Sequence, residues 1–273
     1  MNVQNIPRDD KVVKQAFVPK LDAFLFADYP NIEAKLLAYY LERIGFPSMA
    51  DFFREDPLGD LHVKTASMMY GIPESEVTDV ERQPAKRCNF SIIYGGGIPT
   101  LIDQGVAKDA KEAISILKRY HGAWPGIGWH SRREPAPPHT LNGRIIAVNK
   151  ERGYIKTLWG RHLHPRSEHS ALNALVQGCA ADLLKWALVQ VHRYLSANQM
   201  RSHLVNQVHD EAMVDAAKDE LDHLAIWVPR LMTYEPVNEL VPIKPDPDVS
   251  YTTWADKHPY EEEIHADSHC RAA

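Results

Sequence analysis

LVNQVHDEAMVDA, residues 204–216, reads as a strand, a tight turn and a second strand. Apolar runs on either side of a short polar tip pair with each other, so this stretch places an antiparallel hairpin late in the chain. The turn carries His209, Asp210 and Glu211. Taken alone, two adjacent acids at a hairpin tip are an ordinary polar turn. FLFAD, residues 24–28, reads as a buried strand that ends on another acid, Asp28, which by itself starts a turn or caps the next helix. Together they say more, because strand ends from distant parts of a chain can meet in one sheet. Two or three carboxylates at one point need a cation, and hard oxygen ligands without His or Cys favour magnesium. Two such ions, about 4 Å apart, clamp the attacking and leaving oxygens of an in-line phosphoryl displacement.

Working outward, residues 32–44 read as a helix with Ile32, Leu36, Leu37, Tyr40 and Leu41 inward. A second amphipathic helix is expected over 107–121, closed by Trp124-Pro125-Gly126. The clearest is 169–195, where Leu172, Leu175, Val176, Cys179, Leu183, Leu184, Leu188, Val191 and Leu195 keep a helical period. Residues 218–232 form the last helix. Between these lies a mixed region, 131–168, with a Pro-rich loop at 135–138 and a hairpin or loop at Asn142-Gly143. Pro242, Pro245 and Pro247 restrict their segment to an edge strand at best. The acidic, polar tail from Glu261 is expected to be disordered.

In ERQPAKRCNFSIIYGGG, residues 81–97, Arg82, Lys86, Phe90 and Tyr94 fall at four-residue steps along one helix face. Thr78 with Glu81 forms a capping box at its start, Pro84 predicts a kink, and Gly95 to Gly97 end it. Cations at one end suit a polyphosphate and rings further on suit a flat base. A solvated amphipathic helix with Phe90 and Tyr94 in a core fits the same pattern. His169, Asn173 and Gln177 make a second polar series. Asn and Gln amides donate to the acceptors that every base pair presents in the minor groove, though a plain polar helix face looks the same. Gly178 marks the close approach of another element. His62 is a candidate phosphate donor and Arg161 a candidate contact to a backbone phosphate.

The 273 residues suffice for one large domain or two modest ones. Net charge is −5, yet residues 108–166 hold twelve Lys/Arg against four Asp/Glu, +8, which leaves 19 against 32, −13, for the rest. A basic middle in an acidic frame suits local tracking of a phosphate backbone. Cys88, Cys179 and Cys270 form no CxxC pair, which excludes a cysteine zinc site and a disulfide framework and fits a reducing compartment. No apolar run reaches membrane-spanning length and no signal-peptide pattern opens the chain, so a cytoplasmic protein without a membrane partner is expected.

The order of these motifs resembles the polymerase domain of family A DNA polymerases, over about residues 2–260. ADYPNIEAK (27–35) resembles the family's first palm motif, ERQPAKRCNFSIIYG (81–95) its fingers helix, and HSALNALVQGCAAD (169–182) and QVHDE (207–211) its two remaining palm motifs. NVQNIP (2–7) resembles a template-primer contact strip. The resemblance implies an α+β fold, with an antiparallel palm sheet at 1–44 and 167–260 and a mostly helical fingers subdomain at 45–166. It implies that the thumb and any exonuclease domain are absent from this chain. It further implies template-directed DNA synthesis with two magnesium ions held by Asp28 and Asp210, supported by Glu211. Lys86 and Arg82 then neutralise the triphosphate, Lys86 serves as proton donor, and His62 assists. Phe90 stacks near the nucleotide, Tyr94 guards the template site and Glu33 blocks a ribose 2′-hydroxyl. Asn2, Gln4, Asn5, Arg161, His169, Asn173, Gln177 and His209 are the implied DNA contacts. Implied partners are primer-template DNA, a deoxynucleoside triphosphate and a separate chain supplying thumb or exonuclease. Pro30-Asn31, Lys35 and His169 depart from the family pattern. A truncated, non-catalytic remnant that binds DNA or a partner chain and a single-subunit RNA polymerase relative are the alternatives; Glu33 argues against the second.

Overall fold

The computed structural model describes residues 6, 11–94, 96–129 and 135–261. In chain order the helices are α1 (Lys11–Gln15), α2 (Ile32–Arg43), α3 (Ser48–Glu55), α4 (Leu61–Tyr70), α5 (Asp79–Ile93), α6 (Ile98–Asp103), α7 (Ala110–Ala123), α8 (Leu141–Arg152), α9 (Ala171–Ala197), α10 (Lys218–Met232) and α11 (Glu235–Asn238). The strands are β1 (Ala23–Asp28), β2 (Ile155–Lys156), β3 (His162–Leu163), β4 (His203–Val208), β5 (Glu211–Ala216), β6 (Asp246–Ser250) and β7 (His258–Pro259). Two compact units result, one of Met1–Pro30, Leu184–Thr233 and Lys244–Ala273, the other of Asn31–Leu183 and Tyr234–Ile243.

The first unit is built on a five-stranded sheet in the order β4-β5-β1-β6-β7, antiparallel at every pair. Phe24, Leu25, Phe26 and Ala27 are all buried, which explains why β1 reads as a continuous apolar run rather than an alternation. Phe24 and Phe26 join Met213 and Trp254 in one cluster, with Ile6, Phe17 and Val208 against it. α10 packs on β1, β5 and β6 through a face that buries Leu221, Leu224, Ala225 and Val228. Full burial of one such side chain stabilises by about 1.5–3 kcal/mol. The Tyr29 hydroxyl donates to the Met232 carbonyl and anchors the end of β1 to α10.

β6 corrects one expectation. It contains Pro247, yet it lies inside the sheet, between β1 and β7. The Pro247 carbonyl accepts from Tyr260 N, on the β7 side. A residue's N–H and C=O share one edge of a strand, so the missing donor also falls on the β7 side and the ladder to β1 loses nothing.

The second unit is mostly helical, with α4, α5 and α7 packed on one another. Asp60 caps α4, its side chain accepting from His62 N and Val63 N. The Thr78–Glu81 capping box is present, and α5 runs from Asp79 to Ile93 without a break at Pro84. In α2, Tyr39 is buried and Tyr40 half-buried, the reverse of the expected emphasis, while Lys35 is buried as well. Asn142-Gly143 is not a turn; it sits in the first turn of α8 behind the N-cap Thr140. A Cβ on Gly143 would lie 2.0 Å from the Pro137 carbonyl oxygen, so glycine serves close backbone approach there, not a hairpin. Gly178 does mark a close approach: its Cβ would lie 2.7 Å from Leu163 Cδ1, where the β2–β3 hairpin meets α9.

α9 carries the expected period, with Leu172, Leu175, Val176, Cys179, Leu183, Leu184, Val191 and Leu195 buried and Leu188 half-buried. Among the described residues the helical segment from Glu168 to Ala197 is long and apolar enough to cross a membrane, contrary to the sequence expectation; most of its large apolar side chains are buried in the core, while Val189 is exposed.

Candidate active site

The acids of the first unit collect at one end of the sheet. Asp28, the last residue of β1, pairs in register with Glu211 on β5 and with Asp246 on β6. Directly opposed residues share a face, so three carboxylates form a row across the strands. Asp210 lies beside them in the two-residue turn between Val208 and Glu211. His209 precedes it with φ 53, the left-handed conformation that tight hairpins require. Burial, and then the negative charge of Asp28, push the Asp210 carboxyl up to about 7, with a hydrogen bond to Asp28 adding to the effect. Two carboxylates this close repel when both are charged, and a divalent cation between them would relieve that repulsion.

Glu211 is differently placed. It opens β5 rather than standing in the turn. Its Oε2 accepts from Lys257 Nζ at 2.5 Å, and the same ammonium reaches Asp248 Oδ2 at 3.2 Å and lies over the Phe26 ring. Burial pushes the Glu211 carboxyl up and Lys257 opposes it. The two carboxylates hold the Lys257 ammonium above its ordinary range, against its own burial. Among the described residues no three His, Cys, Asp or Glu side chains close on one point. The donor set that fits a hard cation is therefore the Asp28–Asp210 pair, with Glu211 nearby and held by lysine.

The cationic series lies in the second unit. Arg82 Nε and Nη2 donate to Asp60 Oδ2 at 2.8 and 2.7 Å. Burial raises the Asp60 carboxyl, but Arg82 and the two capping N–H groups outweigh it and hold the group below its ordinary value. His62 is held low, first by burial, with Arg82 and Lys86 adding and Asp60 opposing. Asn89 Nδ2 meets His62 Nδ1 at 3.0 Å and Thr65 Oγ1 at 3.1 Å. With both amide hydrogens so used, neutral His62 carries its proton on Nε2 and keeps one donor to offer. Lys86 is half-buried one turn after Arg82. Phe90 is exposed, with the His62 ring 5.4 Å away and the Tyr94 ring stacked at 6.4 Å. Arg82, Lys86, His62 and Phe90 thus form one polar-to-aromatic face.

Tyr94 is the C-cap of α5. Its hydroxyl donates to Glu33 Oε1 at 3.1 Å, and Gln177 Nε2 meets the same oxygen at 3.5 Å. Three residues from three sequence motifs therefore converge. Asn173 Oδ1 is buried without a partner among the described residues. His169 lies in a short 3-10 turn, Glu168–Ser170, before α9 rather than on it, which corrects the expected single helical stripe. Arg161 donates to Asp182 Oδ1 at 2.7 Å and to the Gly178 carbonyl at 2.9 Å, so its guanidinium is engaged with α9. Asn2, Gln4 and Asn5 lie outside the described residues, as does the tail from 262. Sequence reasoning missed Asp60, Asn89, Asp248 and Lys257. An Asp just ahead of the LHVKTASMM helix is a readable cap signal; the others carry none.

Residues 1–256 match DNA polymerase family A, and the chain belongs to that family. It is 33% identical over 266 residues to DNA polymerase I of Bacillus caldotenax, covering 93% of this chain and 29% of that protein. It is 32% identical over 256 residues to DNA polymerase I of Geobacillus stearothermophilus, covering 90% and 28%. The chain spans less than a third of the length of these relatives. Among solved structures it resembles the POL domain of Pol1 from M. smegmatis, in complex with DNA primer-template and dNTP. That likeness has a TM-score of 0.76 and 26% identity, and covers 93% of this chain and 44% of the other.

Proposed function

We propose that this chain carries out template-directed DNA synthesis, adding deoxynucleotides to a primer 3′-hydroxyl with release of pyrophosphate. The observation that carries the reading is the meeting of Asp28 and Asp210, both half-buried, at the end of an antiparallel sheet, where burial and the Asp28 charge push the Asp210 carboxyl up. Family membership and the primer-template and dNTP held by the M. smegmatis relative support it.

Asp28 and Asp210 would hold magnesium, which when bound supplies Lewis acidity to the reacting oxygens and the phosphate. Arg82 and Lys86 neutralise the triphosphate, and Lys86 is positioned by sequence to protonate the leaving pyrophosphate. His62, neutral and protonated on Nε2, donates to phosphate without adding charge. Phe90 offers a face for the base. Glu33, held by Tyr94 and Gln177, stands as the block to a ribose 2′-hydroxyl. Arg161, Asn173, Gln177, His169 and His209, with Asn2, Gln4 and Asn5, contact the duplex. Residues 1–44 and 167–260 serve as palm and 45–166 as fingers.

The test is primer extension with magnesium and either deoxy- or ribonucleoside triphosphates, by the chain alone and joined to the thumb segment of a relative. Extension with deoxynucleotides is expected. No magnesium-dependent extension in either form sinks the reading, and a preference for ribonucleotides points to an RNA polymerase.

A further inference from the structure

The Glu211–Lys257–Asp248 contact has a role beyond packing, one that rests on the metal reading above. Glu211 is adjacent in sequence to Asp210 and opposite Asp28 in register, so it has both the chemistry and the place to join a metal. It is instead bonded to Lys257 Nζ at 2.5 Å. That ammonium is shared with Asp248 at 3.2 Å and backed by the Phe26 ring. Lys257 comes from the segment between β6 and β7, more than forty residues after Glu211, so the contact depends on the sheet order. Asp28, Glu211 and Asp246 share one register row with Asp210 beside it and Asp248 two residues along β6, and Lys257 bonds two of these acids, Glu211 and Asp248.

We propose that Lys257 is a positioning residue for metal binding: it withholds Glu211 from the cation and cancels that carboxylate's charge, leaving the Asp28–Asp210 pair as the ligands. The consequence has a sign that a packing role lacks. Without the ammonium, an extra negative charge faces the pair and Glu211 is free to become a third ligand, so the site should hold a divalent cation more tightly. A lysine that merely props two strands would, on removal, leave metal binding unchanged or weaken it.

The experiment measures Mn2+ binding to the full chain by electron paramagnetic resonance, without DNA or nucleotide. Lys257→Met and the milder Lys257→Gln should bind Mn2+ about tenfold more tightly than wild type. Lys257→Arg should match wild type, because the guanidinium bridges the same carboxylates. Lys257→Met with Glu211→Gln should return to near the wild-type value. Unchanged or weaker binding in a folded neutral variant overturns the proposal while leaving the metal reading intact. Should neither neutral variant fold, Glu211→Gln decides: it leaves Lys257 in excess, Mn2+ binding must weaken several-fold, and unchanged binding overturns the proposal. Wild-type protein that binds no Mn2+, indistinguishable from Asp210→Ala, refutes the metal reading itself.

Discussion

The acidic sheet end and the cationic helix face manage charge by opposite means. At the sheet end, strand register forces carboxylates together in partial burial, where like charges interact strongly. The structure answers with an Asp210 carboxyl that burial and the Asp28 charge push up, and with an ammonium from Lys257. On the helix face, four-residue spacing spreads Arg82, Lys86 and Phe90 along α5. There one carboxylate, Asp60, restrains one cation while also capping the neighbouring helix. A sheet concentrates charge and must neutralise it locally, whereas a helix surface distributes charge and leaves water to screen it.

The largest expected effect tests the concentrated side. Asp210→Ala should lower magnesium-dependent primer extension about a thousandfold or more, roughly 4 kcal/mol in the barrier, with the circular dichroism spectrum retained. Retained extension would remove the acidic end from the chemistry. Lys86→Ala probes the distributed side and should cost about a hundredfold in kcat/KM for the incoming nucleotide. A loss as large as that of Asp210→Ala would erase the contrast.

The raised Asp210 carboxyl gives a third test. Asp210 gives up its proton near 3.8 in the unfolded chain and near 7 in the folded, metal-free protein. The folded state binds more protons across that window, so stability falls as pH rises from about 4 to about 7. Thermal unfolding in chelator should show a lower Tm at pH 7.5 than at pH 5, added Mg2+ should reverse the drop, and Asp210→Asn should flatten it. A flat profile in wild type breaks the account of the pair. The smallest effect belongs to Asp60→Ala, which should lose about 1 kcal/mol in urea unfolding through the missing cap. The same change frees Arg82.

The same contrast governs what could be read from sequence. The 204–216 hairpin, β1 and the 218–232 helix follow from local pattern, because period and turn chemistry act over a few residues. The position of β6 inside the sheet did not follow, since Pro247 forbids a donor on one side only and sequence does not say which. Asn142-Gly143 carried a turn signature, but Gly143 answers to the Pro137 backbone. Four-residue spacing gathered Arg82, Lys86 and Phe90, and the link from Glu33 to Tyr94 needed tertiary structure or the family resemblance. Lys257 was invisible because its contacts are set by sheet order.

Pro247 also bears on how the sheet ends. β7 is only two residues long, and Pro259 removes one of its donors. At the opposite margin β4 carries an irregularity between Leu204 and Asn206 that breaks the pairing rhythm. Among the described residues neither border presents a long, regular row of pairing positions. An arriving strand from another chain finds no template on either side, which protects against edge-to-edge aggregation a sheet whose central strand, FLFAD, is otherwise well suited to it.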